Sequence, residues 1–269
     1  MTSAAHSSLG NKQRILTVFG TRPEALKCFP VARAAQQHGG FAASICNTAQ
    51  HRDMVDQVVA LTGLSVDYDL NVMQPGQTLA EVTARVMSGM SDVFDKSRPD
   101  IVVVQGDTTT AMAAALSAFY RNIPVAHVEA GLRSHDINSP FPEELNRKIV
   151  GEIATWHFAP TTTARDHLLA EGKAPESVLV TGNTIIDTLM HFSRVIDDDL
   201  GMNARLAEGF PFLDHGRRTI LVTSHRRENH DGGIERVCQA LRVLSERDDV
   251  QIVYPVHPNP RVRDVVNAE

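Results

Sequence analysis

Residues 100–105 read "DIVVVQ", an unbroken Val/Ile run closed by polar residues at both ends. A strand with one wet face alternates apolar and polar side chains. A continuous run instead requires cover on both faces, as in a parallel sheet sandwiched by helices. Its surroundings repeat the theme. Strands are predicted at 15–19 ("ILTVF"), 41–48, 124–129, 156–159 and 177–182. Helices are predicted between them: about 23–37, one ended by Gly63, then 77–96, 109–120, one from about 142, 162–171 and 184–196. Strand and helix in alternation predict an α/β fold with a parallel, doubly wound sheet.

Such sheets bind ligands beyond the carboxyl ends of their strands. Those ends read "FGTRPE", "NTAQHR", "QGDTTT", "VEAGLR" and "TGNT". The expected organisation is an N-terminal lobe over 1–196, a linker over 197–218 rich in Asp and Gly, and the first part of a second lobe over 219–269. The second lobe offers strands near 219–224 and 251–256 with helices near 233–247 and from 260. Two parallel strands are marginal alone, so this lobe reads as incomplete.

Composition narrows the function. Of 269 residues, 42% are hydrophobic and 22% charged, as in ordinary globular enzymes. A net charge of −6, 5% aromatics and no basic run argue against nucleic-acid and anionic-membrane binding. No run approaches a spanning helix, and the polar N-terminus lacks a signal-peptide core, so a cytoplasmic protein is expected. Cys28, Cys46 and Cys238 have no metal or redox spacing and read as buried apolar residues.

Several strand exits carry candidate chemistry. In "FGTRPEALK", Gly20 permits a tight exit, and Thr21 with Glu24 fits a capping box. Arg22 and Lys27 could hold phosphate at that helix start or be solvated cations, and spacing leaves both open. Asp107 ends one strand and Glu129 another, so their carboxylates could meet and shift each other's pKa. Spacing alone favours an N-cap role for Asp107. It favours a macrodipole role for Glu143 and Glu144, paired with Arg147 and Lys148 at i,i+4. The loop 130–141, with Arg133, is placed where binding residues usually sit. His225, at the end of "TSHRRENH" beside Arg226 and Arg227, reads as structural unless it meets phosphate, and His257 repeats the arrangement. Metal chemistry is not expected: "HVE" has no following P-C-x-x-C, and His225 and His230 do not form H-E-x-x-H. No G-x-S-x-G elbow supports acyl hydrolysis.

Taken together, "TVFGTRPEALK", "TAQHRDMVDQV", "DYDLNVMQPGQTL", "GDTTTAMAAALSAFY", "HVEAGLRS", "SPFPEELNR", "HFAPT", "TGNTIIDTL", "HRREN" and "QIVYPVHPNP" closely resemble the bacterial non-hydrolysing UDP-N-acetylglucosamine 2-epimerases. The likeness runs from about Arg14 to the chain end. It implies two Rossmann-like lobes of the glycosyltransferase-B type. It implies inversion of C2 between UDP-GlcNAc and UDP-ManNAc, by anti elimination of UDP and re-addition, without a cofactor. Lys27, Asp107, Glu129, Glu143 and His225 match the family's catalytic motifs, which reverses the spacing-based readings of Asp107, Glu143 and His225. Gly20, Arg22, Arg133 and His225 are the substrate-binding candidates. A homodimer, a UDP-N-acetylhexosamine substrate and a second UDP-GlcNAc as activator near Gln50 and His257 are likewise implied. Family chains continue further, through a "DSGG"-like segment that grips the nucleotide. This polypeptide alone is therefore expected to bind UDP-sugar weakly and turn over poorly. The competing readings are a UDP-sugar-binding fragment and a hydrolysing epimerase that releases ManNAc and UDP.

Overall fold

The structure is a computed structural model describing residues 12–224, 232–256 and 259–268. The chain divides into two compact units, Met1–Val195 and Ile196–Glu269. The first unit runs β1 (Gln13–Phe19), α1 (Arg22–Gln37), β2 (Phe41–Asn47), α2 (Arg52–Thr62), β3 (Tyr68–Asp69), α3 (Leu79–Ser97), β4 (Ile101–Gln105) and α4 (Thr109–Tyr120). It continues through β5 (Val125–Val128), α5 (Glu143–Ile153), β6 (Trp156–Ala159), α6 (Thr162–Ala170), β7 (Val178–Val180) and most of α7 (Thr184–Asp198).

The seven strands form one parallel sheet in the order β3-β2-β1-β4-β5-β6-β7. The order reverses between β1 and β4, where Ile15, Leu16 and Thr17 pair with Ile101, Val102 and Val103. Chains wound outward from such a point leave a crevice at its carboxyl edge. Both faces are covered, as the "DIVVVQ" run requires. Leu16, Val18, Val102 and Val104 pack on one side with Val86, Met90 and the alanines of α4. Ile15 and Val103 pack on the other with Ala35 and Ala126. Each fully buried side chain of this size contributes about 1.5–3 kcal/mol. Alanines 111, 113, 114, 115 and 118 let α4 sit close to α3, α5 and the sheet.

The helix ends follow the sequence signals. Gly63 closes α2 at φ 66, with its N–H on the Val59 carbonyl. Thr78 caps α3 and Thr108 caps α4, each accepting from a backbone N–H one turn on. The two-residue β3 was not expected, because so short a piece carries no alternation.

The second unit contains α8 (Leu200–Glu208), β8 (Arg218–Leu221), α9 (Gly233–Ser245), β9 (Val250–Val253) and α10 (Pro260–Ala268). β8 and β9 pair in parallel, and Ile234, Cys238 and Val262 form its small core. The segment read as a linker contains a helix. Asp199 accepts from the Met202 N–H at 2.9 Å and so supplies the cap that starts α8. All three cysteines are buried. Among the described residues no helix is long and apolar enough to cross a membrane.

One backbone approach dictates its residue. Gly131, just past β5, has φ 86, and a Cβ there would lie 2.1 Å from the Ala164 carbonyl of α6. Gly131→Ala is expected to lower stability by more than about 1 kcal/mol in urea denaturation, because neither conformation nor space admits a side chain.

Candidate active site

The β1 exit is built around a missing side chain. A Cβ on Gly20 would meet the Thr48 hydroxyl at 2.0 Å and the Thr110 hydroxyl at 2.6 Å. The chain can therefore turn into α1 hard against the start of α4. Glu24, in the first turn of α1, is fully buried. Its Oε2 accepts from the N–H groups of Thr21 (2.8 Å) and Gly20 (3.2 Å), as a capping residue would. Its Oε1 also accepts from the Thr108 hydroxyl at 2.6 Å, a partner outside its own helix. Burial pushes this carboxyl up to about 6, and the three donors oppose the shift.

Glu129 follows β5 with φ 63, a left-handed conformation rare for a residue with a side chain. Lys27 Nζ of α1 donates to its Oε2 at 2.5 Å. Gln105, the last residue of β4, donates to the same oxygen. Asn183, before α7, donates to Oε1 at 2.9 Å. The carboxylate is thus gripped from α1, from the end of β4 and from the turn before α7.

Asp107 sits beyond β4, after Gly106 with φ 69. Its carboxylate pairs with Arg147 of α5, and Asn146 Nδ2 donates to its carbonyl at 2.9 Å. Arg147 also meets the buried Glu144 at 3.0 Å. This replaces the expected i,i+4 pairing with Glu143, because α5 turns Glu144 inward, where it also accepts from the Ser134 N–H. The Asp107 carboxyl is raised, first by burial. Arg147 opposes the rise, and the nearby Glu129 and Glu143 carboxylates add to it. Asp107, Glu129 and Glu143 therefore occupy one electrostatic neighbourhood, with Lys27 beside Glu129.

Arg133 is not brought to this group. Its side chain is 1% exposed and forks onto Glu171 at 2.8 and 2.6 Å, while also donating to the Leu132 carbonyl. Arg22 is exposed and close enough to His51 to assist burial in lowering that imidazole's pKa. Gln50 accepts from the Thr110 hydroxyl at 2.9 Å. His225 and His257 lie outside the described residues. Sequence reasoning missed Gln105 and Asn183, which stood in the polar strand ends "VVVQ" and "TGNT". It named Arg147 only as a partner for Glu143.

A family model described as UDP-N-acetylglucosamine 2-epimerase matches residues 33–269. The UDP-N-acetylglucosamine 2-epimerase of Salmonella typhimurium is 51% identical over 256 residues, 94% of this chain and 68% of that protein. The chain belongs to this family. The Escherichia coli K12 enzyme is 49% identical over 255 residues, with the same coverage. Among solved structures, Neisseria meningitidis UDP-GlcNAc 2-epimerase bound to UDP-GlcNAc superposes with a TM-score of 0.87 at 44% identity, covering 95% of this chain and 69% of that one. The Methanocaldococcus jannaschii enzyme in complex with UDP-GlcNAc and UDP gives 0.75 at 32% identity, covering 95% and 68%. These relatives are named as epimerases, so the chain is a member of an isomerase family with the expected Rossmann-like fold.

Two buried histidines lie side by side on β5 and β6. His127 of β5 is fully buried and donates from Nε2 to the Gly106 carbonyl at 2.8 Å, steadying the turn before Asp107. Burial lowers its pKa to about 3, reinforced by His157, Arg133 and Arg147 and opposed by the Gly106 bond. His157, its neighbour across β5–β6, is lowered to about 4, again chiefly by burial. An imidazole depressed this way stabilises the fold above its unfolded pKa of about 6.5, and that stability is lost as pH falls. Glu24 acts in the opposite sense. Its raised pKa favours the fold below about 4.5, and that contribution is lost as pH rises through about 6. The two windows overlap and partly cancel, so comparison with a variant is needed to separate them. Between pH 6.5 and about 4, wild-type stability should fall more steeply than that of His127→Gln, by up to about 1.4 kcal/mol per pH unit in denaturant titrations. Parallel slopes for the two proteins would contradict the buried neutral imidazole.

Proposed function

We propose that this protein interconverts UDP-N-acetylglucosamine and UDP-N-acetylmannosamine by reversible anti elimination, without hydrolysing the sugar nucleotide. One carboxylate takes the C2 proton. The C1–O bond breaks, its electron pair leaves with UDP, and a C1–C2 double bond remains. Re-addition of UDP to C1, with a proton delivered to the other face of C2, completes the inversion. The C2 hydrogen is only weakly acidic, so removal of the proton and stabilisation of the leaving diphosphate must share the work.

The observation that supports this reading is the shared neighbourhood of three carboxylates. Asp107 responds to both Glu129 and Glu143, and Lys27 lies at 2.5 Å from Glu129. Grouped carboxylates in unequal surroundings can hold different protonation states, which base and acid roles at one carbon require. Asp107, Glu129 and Glu143 supply those roles, while Lys27, Arg22 and His225 stabilise the departing diphosphate. The clustered proton-transfer groups favour epimerisation over sugar transfer. Membership of the family also motivates the proposals of a homodimer and of a second UDP-GlcNAc acting as activator through Gln50 and His257.

Incubation with UDP-GlcNAc in deuterated water decides the reaction. UDP-ManNAc carrying deuterium at C2, formed slowly by this polypeptide alone, is the expected product. Free ManNAc with UDP would make the protein a hydrolysing epimerase, and UDP-sugar binding without C2 exchange would reduce it to a binder. Glu129→Gln should lower turnover on the order of a hundred- to ten-thousand-fold, as removal of a proton-transfer group does.

A further inference from the structure

The geometry points to Glu24 as a positioning residue of the epimerisation site, a buried carboxylate that locks the β1 exit to the β4 exit and so holds Lys27 and Asp107 in register. This inference rests on the reading of the site given above. The same residue pattern occurs twice in the chain with different outcomes. At the start of α3, Glu81 accepts from the Thr78 N–H and hydroxyl, stays exposed, and serves its own helix alone. At the start of α1, Glu24 is fully buried and reaches Thr108, 84 residues away. Burying a carboxylate is costly unless donors satisfy it, and a cap needs no such burial.

The connection runs through both turns of the sheet's reversal point. Thr108 follows Asp107 directly. Its hydroxyl donates to Glu24 and accepts from the Ala111 N–H, so the first turn of α4 hangs from the carboxylate. On the other side Glu24 holds the Gly20 and Thr21 amides. One helical turn beyond it, Lys27 reaches Glu129. A second strap, Thr48 to Thr110 at 2.8 Å, crosses the same gap and leaves room for no side chain on Gly20. Displacement of either turn would move a cation or a carboxylate of the site without removing it.

The test compares Thr108→Val, which deletes the hydroxyl and keeps the shape, with Thr108→Ser, which restores it, and with Glu24→Leu. Each variant is assayed for epimerisation kinetics and for hydrogen exchange at the Gly20 and Thr21 amides. For Thr108→Val and Glu24→Leu, kcat should fall on the order of ten- to a hundredfold, the scale of a misplaced catalytic geometry. KM should change by less than about threefold. Exchange at the two amides should quicken by at least about tenfold in Glu24→Leu. Thr108→Ser should regain most of the lost kcat. Wild-type kcat in folded Thr108→Val would overturn the proposal, as would a serine variant as impaired as the valine one. If Glu24→Leu does not fold, the threonine pair decides. If the wild type itself fails to exchange the C2 hydrogen, the epimerase reading falls. Amide exchange then still judges the lock, and unchanged protection in Glu24→Leu would refute it.

Discussion

A parallel sheet covered on both faces can carry polar chemistry only where its strands end. That constraint organises the first unit. Leu16, Val18, Val102 and Val104 face one helical layer, and Ile15 and Val103 face the other. Past the exposed Arg14 at its start, neither face of β1, nor of β4, can hold an ionised group at reasonable cost. Charge is therefore displaced to the carboxyl edge, and the reversal between β1 and β4 opens a gap there. Glu24, Gln105, Asp107 and Glu129 all stand at that edge. Their grouping follows from the burial of the strands behind them.

Charges crowded at one edge must be matched, and the structure matches them through contacts distant in sequence. Lys27 and Glu129 are 102 residues apart, and Arg147 and Asp107 are 40 apart. Local pairs such as Arg165 with Asp166 lie on the surface, where an ion pair is worth roughly 0–1 kcal/mol. The distant pairs are partly buried, with Lys27 at 22% and Glu129 at 11% side-chain exposure, so breaking one leaves an uncompensated charge. The site and the tertiary structure are in this sense the same set of contacts. Burial keeps His127 and His157 neutral, which spares Arg133 and Arg147 a competing positive charge.

The legible part of this molecule was whatever depended on period and on chain punctuation. The Val/Ile run of β4, the glycine ending α2 and the proline before α5 marked their elements because each acts within a few residues. Asp107 and Glu129 were legible as strand-end carboxylates for the same reason. The two-residue β3 escaped because two residues have no period. Helix α8 escaped because its Asp- and Gly-rich flanks look like a linker, although Asp199 is its cap. Arg133 was legible as a loop cation but its partner was not. A cation in a post-strand loop suggested ligand, but Glu171 captures it from the far end of α6. Glu24 was legible only as half of a capping box, since nothing local announces Thr108.

The backbone at Glu129 makes a separate case for chemistry at this edge. A left-handed conformation in a residue with a side chain costs on the order of 1–3 kcal/mol. Glycine takes that conformation freely, and the chain uses it at Gly106, just past β4, and at Gly131, two residues after Glu129, with φ 69 and 86. At Glu129 the conformation is held by Ala130, whose N–H binds the Phe158 carbonyl, and by three side-chain donors on the carboxylate. Hydrogen bonds to a charged group contribute about 1.5–3 kcal/mol each, enough to offset the strain. Those donors would have no purpose if glycine stood there. The arrangement therefore spends conformational strain to aim one carboxylate at donors from α1, the end of β4 and the turn before α7, which stability alone does not require.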